Sequence, residues 1–243
     1  MNEEKKKVLP CIALCEGDIH PRVLTCGDPA RAKKIADKLD NAVCLAQNRE
    51  YHSYSGTWKG VPVTVTSHGV GEGGAVIGFE SLCRAGAKVI IRVGTCGGMQ
   101  KEITEGSLVV VKAACREDGV TEKMLPLSYP AVADVEVIEA LKQSAEESGV
   151  PVHSGIVLTQ ALFYPGLLES TVRLYMKAGV IAMENEVAGL HGVKAGAILA
   201  ADAPAFELVG VDGYQPDPAM LAKAVEQEIE IALDAVIKVE IDS

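Results

Sequence analysis

Lys88 to Gly97 reads Lys-Val-Ile-Ile-Arg-Val-Gly-Thr-Cys-Gly: an apolar run that delivers one arginine, Arg92, and one hydroxyl, Thr95, into a glycine-rich turn. A guanidinium withdrawn from water needs an anionic partner, because an isolated charge does not leave solvent cheaply. Together with the N–H groups of the turn, Arg92 and Thr95 outline an oxyanion cradle of phosphate size. The competing reading pairs Arg92 with one of the 33 Asp and Glu residues and leaves Thr95 to close a turn.

Four other segments carry chemistry-bearing residues in unusual places. In Gly27-Asp28-Pro29-Ala30-Arg31 the glycine permits close backbone approach and the proline suits the first turn of a helix, whose N-terminus favours an anion that Arg31 can clamp. The same residues also read as a plain N-capping turn with a surface arginine. Ser67 to Gly74 contains a formal GxGxxG, yet the dinucleotide fingerprint wants an acid at the end of the next strand, where Arg92 stands. That exchange favours phosphate over a ribose diol at this point. His68, in the same turn, has no paired nucleophile in sight and is read as a cap that hydrogen-bonds backbone. Met183-Glu184-Asn185-Glu186 presents two carboxylates, good acceptors for vicinal hydroxyls and equally at home as acids in a first helical turn. Asp202 ends the apolar run Ile198–Ala201 just before Pro204. It is either a proton donor partly withdrawn from water or a turn residue.

The elements that must position these residues follow from periodicity. Short β-branched runs at Arg22–Cys26, Val61–Thr66, Lys88–Val93, Ser107–Ala114, Gly155–Thr159, Val180–Met183 and Ala197–Ala201 predict strands. Helical patterns occupy Ala30–Leu39, Gly73–Ala85, Ala133–Ser148, Asn185–Val193 and Pro218–Val239. The alternation predicts an α/β fold: a single-domain mixed β-sheet with helices on both faces, with ligands at the carboxyl ends of the strands. The segment before Arg49 shows no strand pattern.

Composition narrows the partners. A net charge of -10 argues against a nucleic acid, which is bound through basic stripes. Seven cysteines without CxxC or Cys/His spacing argue against a disulfide framework and a zinc site, and point to a reducing compartment. No signal-like h-region and no membrane-length apolar run is present, so a cytoplasmic protein without membrane partners is expected.

Gly-Asp-Pro-Ala-Arg, Asn48-Arg49-Glu50-Tyr51, Ser-His-Gly-Val-Gly, Val-Ile-Ile-Arg-Val-Gly-Thr-Cys-Gly, Phe163-Tyr164-Pro165, the Glu-x-Glu pair and Asp202 occur in one order across nearly the whole chain. This ordered set resembles the nucleoside phosphorylase family of hexameric purine nucleoside and uridine phosphorylases, with the greatest likeness to apicomplexan purine enzymes. The resemblance implies one domain over residues 1–243, with phosphate held by Gly27, Arg31, Arg92 and Thr95 and by Arg49 reaching in from a neighbouring subunit. It implies that Glu186, with Glu184, binds the ribose hydroxyls, that Val70, Ile77, Phe163 and Met183 wall the sugar and base, and that Asp202 protonates the purine. The implied reaction is reversible phosphorolysis of a purine ribonucleoside to free base and ribose 1-phosphate. Inorganic phosphate is the co-substrate, no metal or organic cofactor is called for, and the assembly is a hexamer built as a trimer of dimers. Uridine phosphorylases place a Gln and an Arg where this chain has Leu167 and Glu169, which favours a purine.

The chain departs from the family in three places. Asn185 replaces a methionine, the stretch from Glu186 to Asp202 is short, and Cys11 stands where a histidine crosses to the neighbour's sugar. Three alternatives therefore stay open: a uridine phosphorylase, a nucleosidase using water, and a catalytically weakened nucleoside-binding protein. Retention of the three arginines speaks against the nucleosidase.

Overall fold

Side chains alternate across a strand, so a strand buried on both faces feeds two separate cores. β3 (Arg22–Cys26) and β7 (Val89–Gly98) do this here. Leu24, Ile91 and Val93 enter one core with residues of α1 (Pro29–Ala36), α3 (Val135–Glu147) and α5 (Pro218–Lys238). Val23 and Ile90 enter another with Ile12, Tyr51 and, from α2 (Glu72–Ala85), Leu82 and Ala85. The expected arrangement of helices on both faces of a mixed sheet is thereby met.

The computed structural model describes residues 7–163, 169–189, 192–204 and 215–241. The remaining strands are β1 (Val8–Leu9), β2 (Leu14–Cys15), β4 (Asp40–Asn48), β5 (Tyr51–Trp58), β6 (Val61–Ser67), β8 (Leu108–Glu117), β9 (Ala131–Val132), β10 (Val152–Gln160), β11 (Ala182–Glu184) and β12 (Lys194–Pro204), and the remaining α-helix is α4 (Glu169–Lys177). The main sheet runs β11-β10-β8-β12-β7-β3-β6-β5-β4, with β9 on the edge of β8. β3, β6, β7 and β12 pair in parallel, which sets their carboxyl ends side by side. β11 also pairs antiparallel with β7 at Gly97 and Gly98, closing β7, β12, β8, β10 and β11 into a ring. Among the described residues no helix is long and apolar enough to cross a membrane.

Three readings of the sequence need correction. Asp40 to Trp58 forms two paired antiparallel strands, β4 and β5, which the alternation did not reveal because most of β4 is exposed. Asn185–Val193 is not an α-helix among its described residues. Glu184 takes the amides of Glu186 and Val187 onto its side chain, only a 3-10 turn at Val187–Gly189 follows, and Gly192 adopts a left-handed φ of 75°. The helix α4, with Val172 buried against Met99 and Leu158, had no counterpart in the pattern.

Candidate active site

Two turns are zipped together at the end of the parallel strands. The His68 amide donates to Cys26 O at 2.9 Å and the Gly69 amide to Gly27 O at 2.9 Å. Gly27 is required there: a Cβ would lie 3.1 Å from Gly69 O. Asp28 caps α1 through the Ala30 amide at 2.8 Å, which aims the first turn of α1, and with it Arg31, at the same place. Arg31 Nη1 reaches Val93 O at 3.5 Å, so it lies against the strand that carries Arg92. Arg31, Arg92, the Gly27 turn and Thr95 thus lie on neighbouring elements, but the expected glycine-rich turn after Val93 is not a turn: β7 runs on to Gly98 and pairs with β12 throughout, so Arg92 and Thr95 sit within the strand.

Arg92 is buried, and a Cβ on Gly94 would collide with its guanidinium, so this glycine is what lets the side chain fold back along β7. It pairs with Glu186 through Nη2, and Nη1 lies 3.6 Å from Glu184 Oε2. Burial works against its charge, but Glu186 and Glu184 more than restore it, and its pKa rises. The ion-pair reading of Arg92 therefore describes its partners in this structure, while its Nε and Nη1 remain buried without a hydrogen-bond acceptor. Buried donors of this kind are rare and fit an incoming anion.

The two carboxylates differ. Glu184 ends β11 and is held by the Thr159 hydroxyl on one oxygen and by the amides of Glu186 (2.6 Å) and Val187 (2.8 Å) on the other. Glu186 accepts the Gly71 amide at 2.8 Å and pairs with Arg92. Burial pushes the Glu184 carboxyl up, against the pull of Arg92. His68 does not cap its turn: neither ring nitrogen has a hydrogen-bond partner, and the ring packs edge-on against Phe79 at 5.2 Å. Burial, aided by Arg92, depresses it to about 3, so it stays neutral.

A cavity of about 60 Å³ opens beside this cluster, lined by Thr95, Phe163, Met183, Glu184, Asn185 and Asp202, with Cys96 and Gln160 completing its polar wall. Asp202 is aimed there by a bulge. The register of β12 on β7 shifts between Ala201 and Ala203, which leaves Asp202 as the extra residue and turns it inward. Val70 and Ile77 do not line this cavity: they are 88% and 47% exposed near the start of α2. Arg49 is also exposed, at the turn between β4 and β5 with φ 55°, and makes no ion pair among the described residues. Asn48 beside it donates to Cys11 O at 2.7 Å and Pro10 O at 3.0 Å, tying the N-terminal segment to the same corner. Tyr164, Pro165 and Leu167 lie outside the described residues.

The sequence reading missed Gln160, Cys96 and Thr159, and two buried carboxylates, Glu72 and Glu228. Glu72 opens α2 and packs against Gly189, and burial followed by the charge of Glu184 raises it to about 10. A larger hollow of about 380 Å³ beside β9 and α3 has no such chemistry, since the Arg116 donors on its wall are spent on Thr121 and on the carbonyls of Leu125, Pro126 and Tyr129.

Fold and site together define an α/β protein in which a buried arginine, a carboxylate pair and a small cavity lined by Asp202 gather beside the parallel strands. The chain matches the phosphorylase superfamily over residues 21–238 and belongs to it. It is 38% identical over 235 residues to a purine nucleoside phosphorylase of Plasmodium falciparum, covering 93% of this chain and 95% of that one. Among solved structures it is similar to the purine nucleoside phosphorylase of Toxoplasma gondii in complex with immucillin-H, with TM-score 0.90, 34% identity and 96% of each chain covered. It is also similar to a uridine phosphorylase of Vibrio fischeri, with TM-score 0.88, 28% identity, and 98% and 100% covered.

Proposed function

We propose that this protein catalyses the reversible phosphorolysis of purine ribonucleosides, yielding the free base and ribose 1-phosphate. The observation that carries the reading is Arg92: buried, hydrogen-bonded to Glu186, and still holding two nitrogens, Nε and Nη1, without acceptors beside a cavity lined by Asp202. Phosphate held by Arg31, Arg92, Thr95 and the Gly27 turn takes over part of the charge of Arg92, which frees Glu186 to accept the ribose hydroxyls. Glu184, with its oxygens tied to Thr159 and two amides, keeps Glu186 in place. As the glycosidic bond lengthens, its electron pair goes to the base and phosphate bonds to the anomeric carbon. The phosphate charge stabilises the cationic sugar between, and Asp202 gives its proton to the purine. Met183 and Phe163 wall the pocket, with Val70 and Ile77 closing it from outside once substrate is bound. Inorganic phosphate is the co-substrate, and the chemistry requires no metal or organic cofactor.

The chain acts as one catalytic domain in a hexamer, a trimer of dimers, in the cytoplasm. Arg49 supports this: an exposed arginine with no ion pair among the described residues, on a turn that packs against the Gly69 turn through Glu50, is placed to serve the phosphate of a second copy. Base release from inosine, guanosine, adenosine and uridine, with and without phosphate, tests the function. Purine release that requires phosphate and gives ribose 1-phosphate is expected. Uridine as the preferred substrate, or release without phosphate, overturns it.

A further inference from the structure

Glu226, Glu228 and Glu230 alternate along α5, and residues two apart on a helix face nearly opposite ways. Glu226 and Glu230 face outward to Lys34 and Lys38: Glu226 pairs with both lysines, at 3.0 Å to Lys34, and Glu230 with Lys38 at 2.9 Å. Glu228 faces inward and is fully buried. The groups that face it come from four other elements: Arg31 and Lys34 from α1, Cys26 from β3, Arg92 and Cys96 from β7, and the Ala200 amide from β12. Its nearest cation is Arg31, 3.7 Å away, and neither carboxylate oxygen has a side-chain partner at hydrogen-bonding geometry. A carboxylate in this setting is poorly solvated when charged and sits directly behind an arginine aimed at the anion cradle.

We propose that Glu228 is a proton-exchanging counter-anion of the cradle: ionised, it neutralises Arg31, and when a tetrahedral dianion takes Arg31 it accepts a proton from solvent, so that anion binding and proton uptake become one event. Two charges of the same sign cannot both draw on the half-buried Arg31 guanidinium without a Coulomb cost, and protonation of the carboxyl removes it. Burial already lifts this carboxyl to about 8, against the opposing pull of Arg31 and Arg92, so the proton is readily exchanged in the working range of an enzyme. Glu228 is thus a positioning residue that acts through Arg31. The proposal rests on the anion reading of the cradle, and the test separates the two.

Inorganic sulfate is the probe, because unlike phosphate it does not titrate in this range. Calorimetric titration of the intact protein in two buffers of different ionisation enthalpy counts the protons bound with each sulfate. Near pH 9 uptake approaching one proton is expected and near pH 6 almost none, with affinity falling about tenfold per pH unit above the carboxyl's own pKa. Glu228→Gln, or Glu228→Met if the amide fails to fold, should bind sulfate without proton uptake and with a flat pH profile. Sulfate binding by the wild type near pH 9 without uptake, or uptake that persists in a folded Glu228 variant, overturns the inference while leaving the anion site standing. Absence of sulfate binding at every pH overturns the anion site itself, and this inference with it.

Discussion

Arg92 and Arg31 enter one cradle from adjoining walls, and their counter-charges are held in opposite ways. On the strand side, Glu184 and Glu186 are met by Thr159, three backbone amides and Arg92. On the helical side, Glu228 behind Arg31 and Glu72 at the start of α2 have no hydrogen-bonded side-chain partner at all. Donors aimed at a carboxylate stabilise its charged form, whereas burial without donors favours the neutral one. On the strand side donors oppose the burial that pushes Glu184 up, whereas on the helical side Glu72 and Glu228, with no side-chain donor among the described residues, are raised to about 10 and about 8. The difference also explains why the cradle tolerates more buried acids than arginines: on the helical side the carboxyl raised to about 10 is neutral at physiological pH.

The largest effect is expected at Asp202, which lines the cavity. Asp202→Asn keeps shape and hydrogen bonding but has no carboxyl proton to give, so kcat for purine nucleosides should fall by about 10² to 10⁴. A nucleoside with a better leaving group should lose less. Steady-state assays of both substrates on a variant with an unchanged melting temperature decide the matter: near-wild-type inosine turnover would reduce Asp202 to a turn residue. Next in size is Arg92→Ala. It removes the fixed cation of the strand side, and phosphate affinity should weaken by about 2 to 5 kcal/mol. The competing outcome is an unchanged KM for phosphate with a raised KM for nucleoside, which would mean that Arg92 only orients Glu186.

How much of this was legible beforehand tracks the same division. The strand-side residues stood out because polar groups at the ends of apolar runs break a pattern: Arg92 after Val-Ile-Ile, Glu184 after Ala-Met, Asp202 after Leu-Ala-Ala. The parallel pairing of β7 and β12 fits the predicted alternation, whereas β11, which meets β7 antiparallel and is separated from β12, among the described residues, by only a 3-10 turn, does not. Glu228 and Glu72 were invisible because each sits in a helix among other charged or small residues, and no periodicity marks which glutamate of Glu226, Glu228 and Glu230 turns inward. Thr159 lay in a recognised strand, but its use as a donor depends on the register of β10 against β11, where it stands opposite Glu184. The β4–β5 pair escaped for different reasons: β4 is an exposed edge strand, and β5 is buried on both faces, so neither shows the alternation that signals a half-buried strand.

Thr159→Val tests how far the strand-side donors offset the burial of Glu184. The substitution removes the hydroxyl that meets Glu184 while keeping volume, and leaves a buried carboxylate oxygen short of a partner at a cost of about 1 to 3 kcal/mol. Chemical denaturation should show that loss, and KM for nucleoside should rise because Glu184 also orders the Glu186 amide. A variant with wild-type stability would place Glu184 on the titratable side of the comparison with Glu228.

At Glu72 the expected effect is on stability and not on turnover, and its sign is the informative part. Its carboxyl titrates near the ordinary 4.5 in the unfolded chain and at about 10 in the folded one. Between those values the folded protein binds one more proton than the unfolded, so stability is full at acid pH and declines as pH rises through the window. Glu228 adds a similar decline that ends earlier, at about 8. Glu72→Gln removes only the first contribution. The variant should match the wild type near pH 5 and melt at a higher temperature near pH 9, with the slope of stability against pH smaller by up to about 1.4 kcal/mol per pH unit. Thermal melts of the two proteins across that range read this directly. Parallel curves would mean that Glu72 is ionised inside the fold with its charge met by Arg92, and Glu228 would then be left as the carboxyl on the helical side that burial keeps neutral at moderate pH.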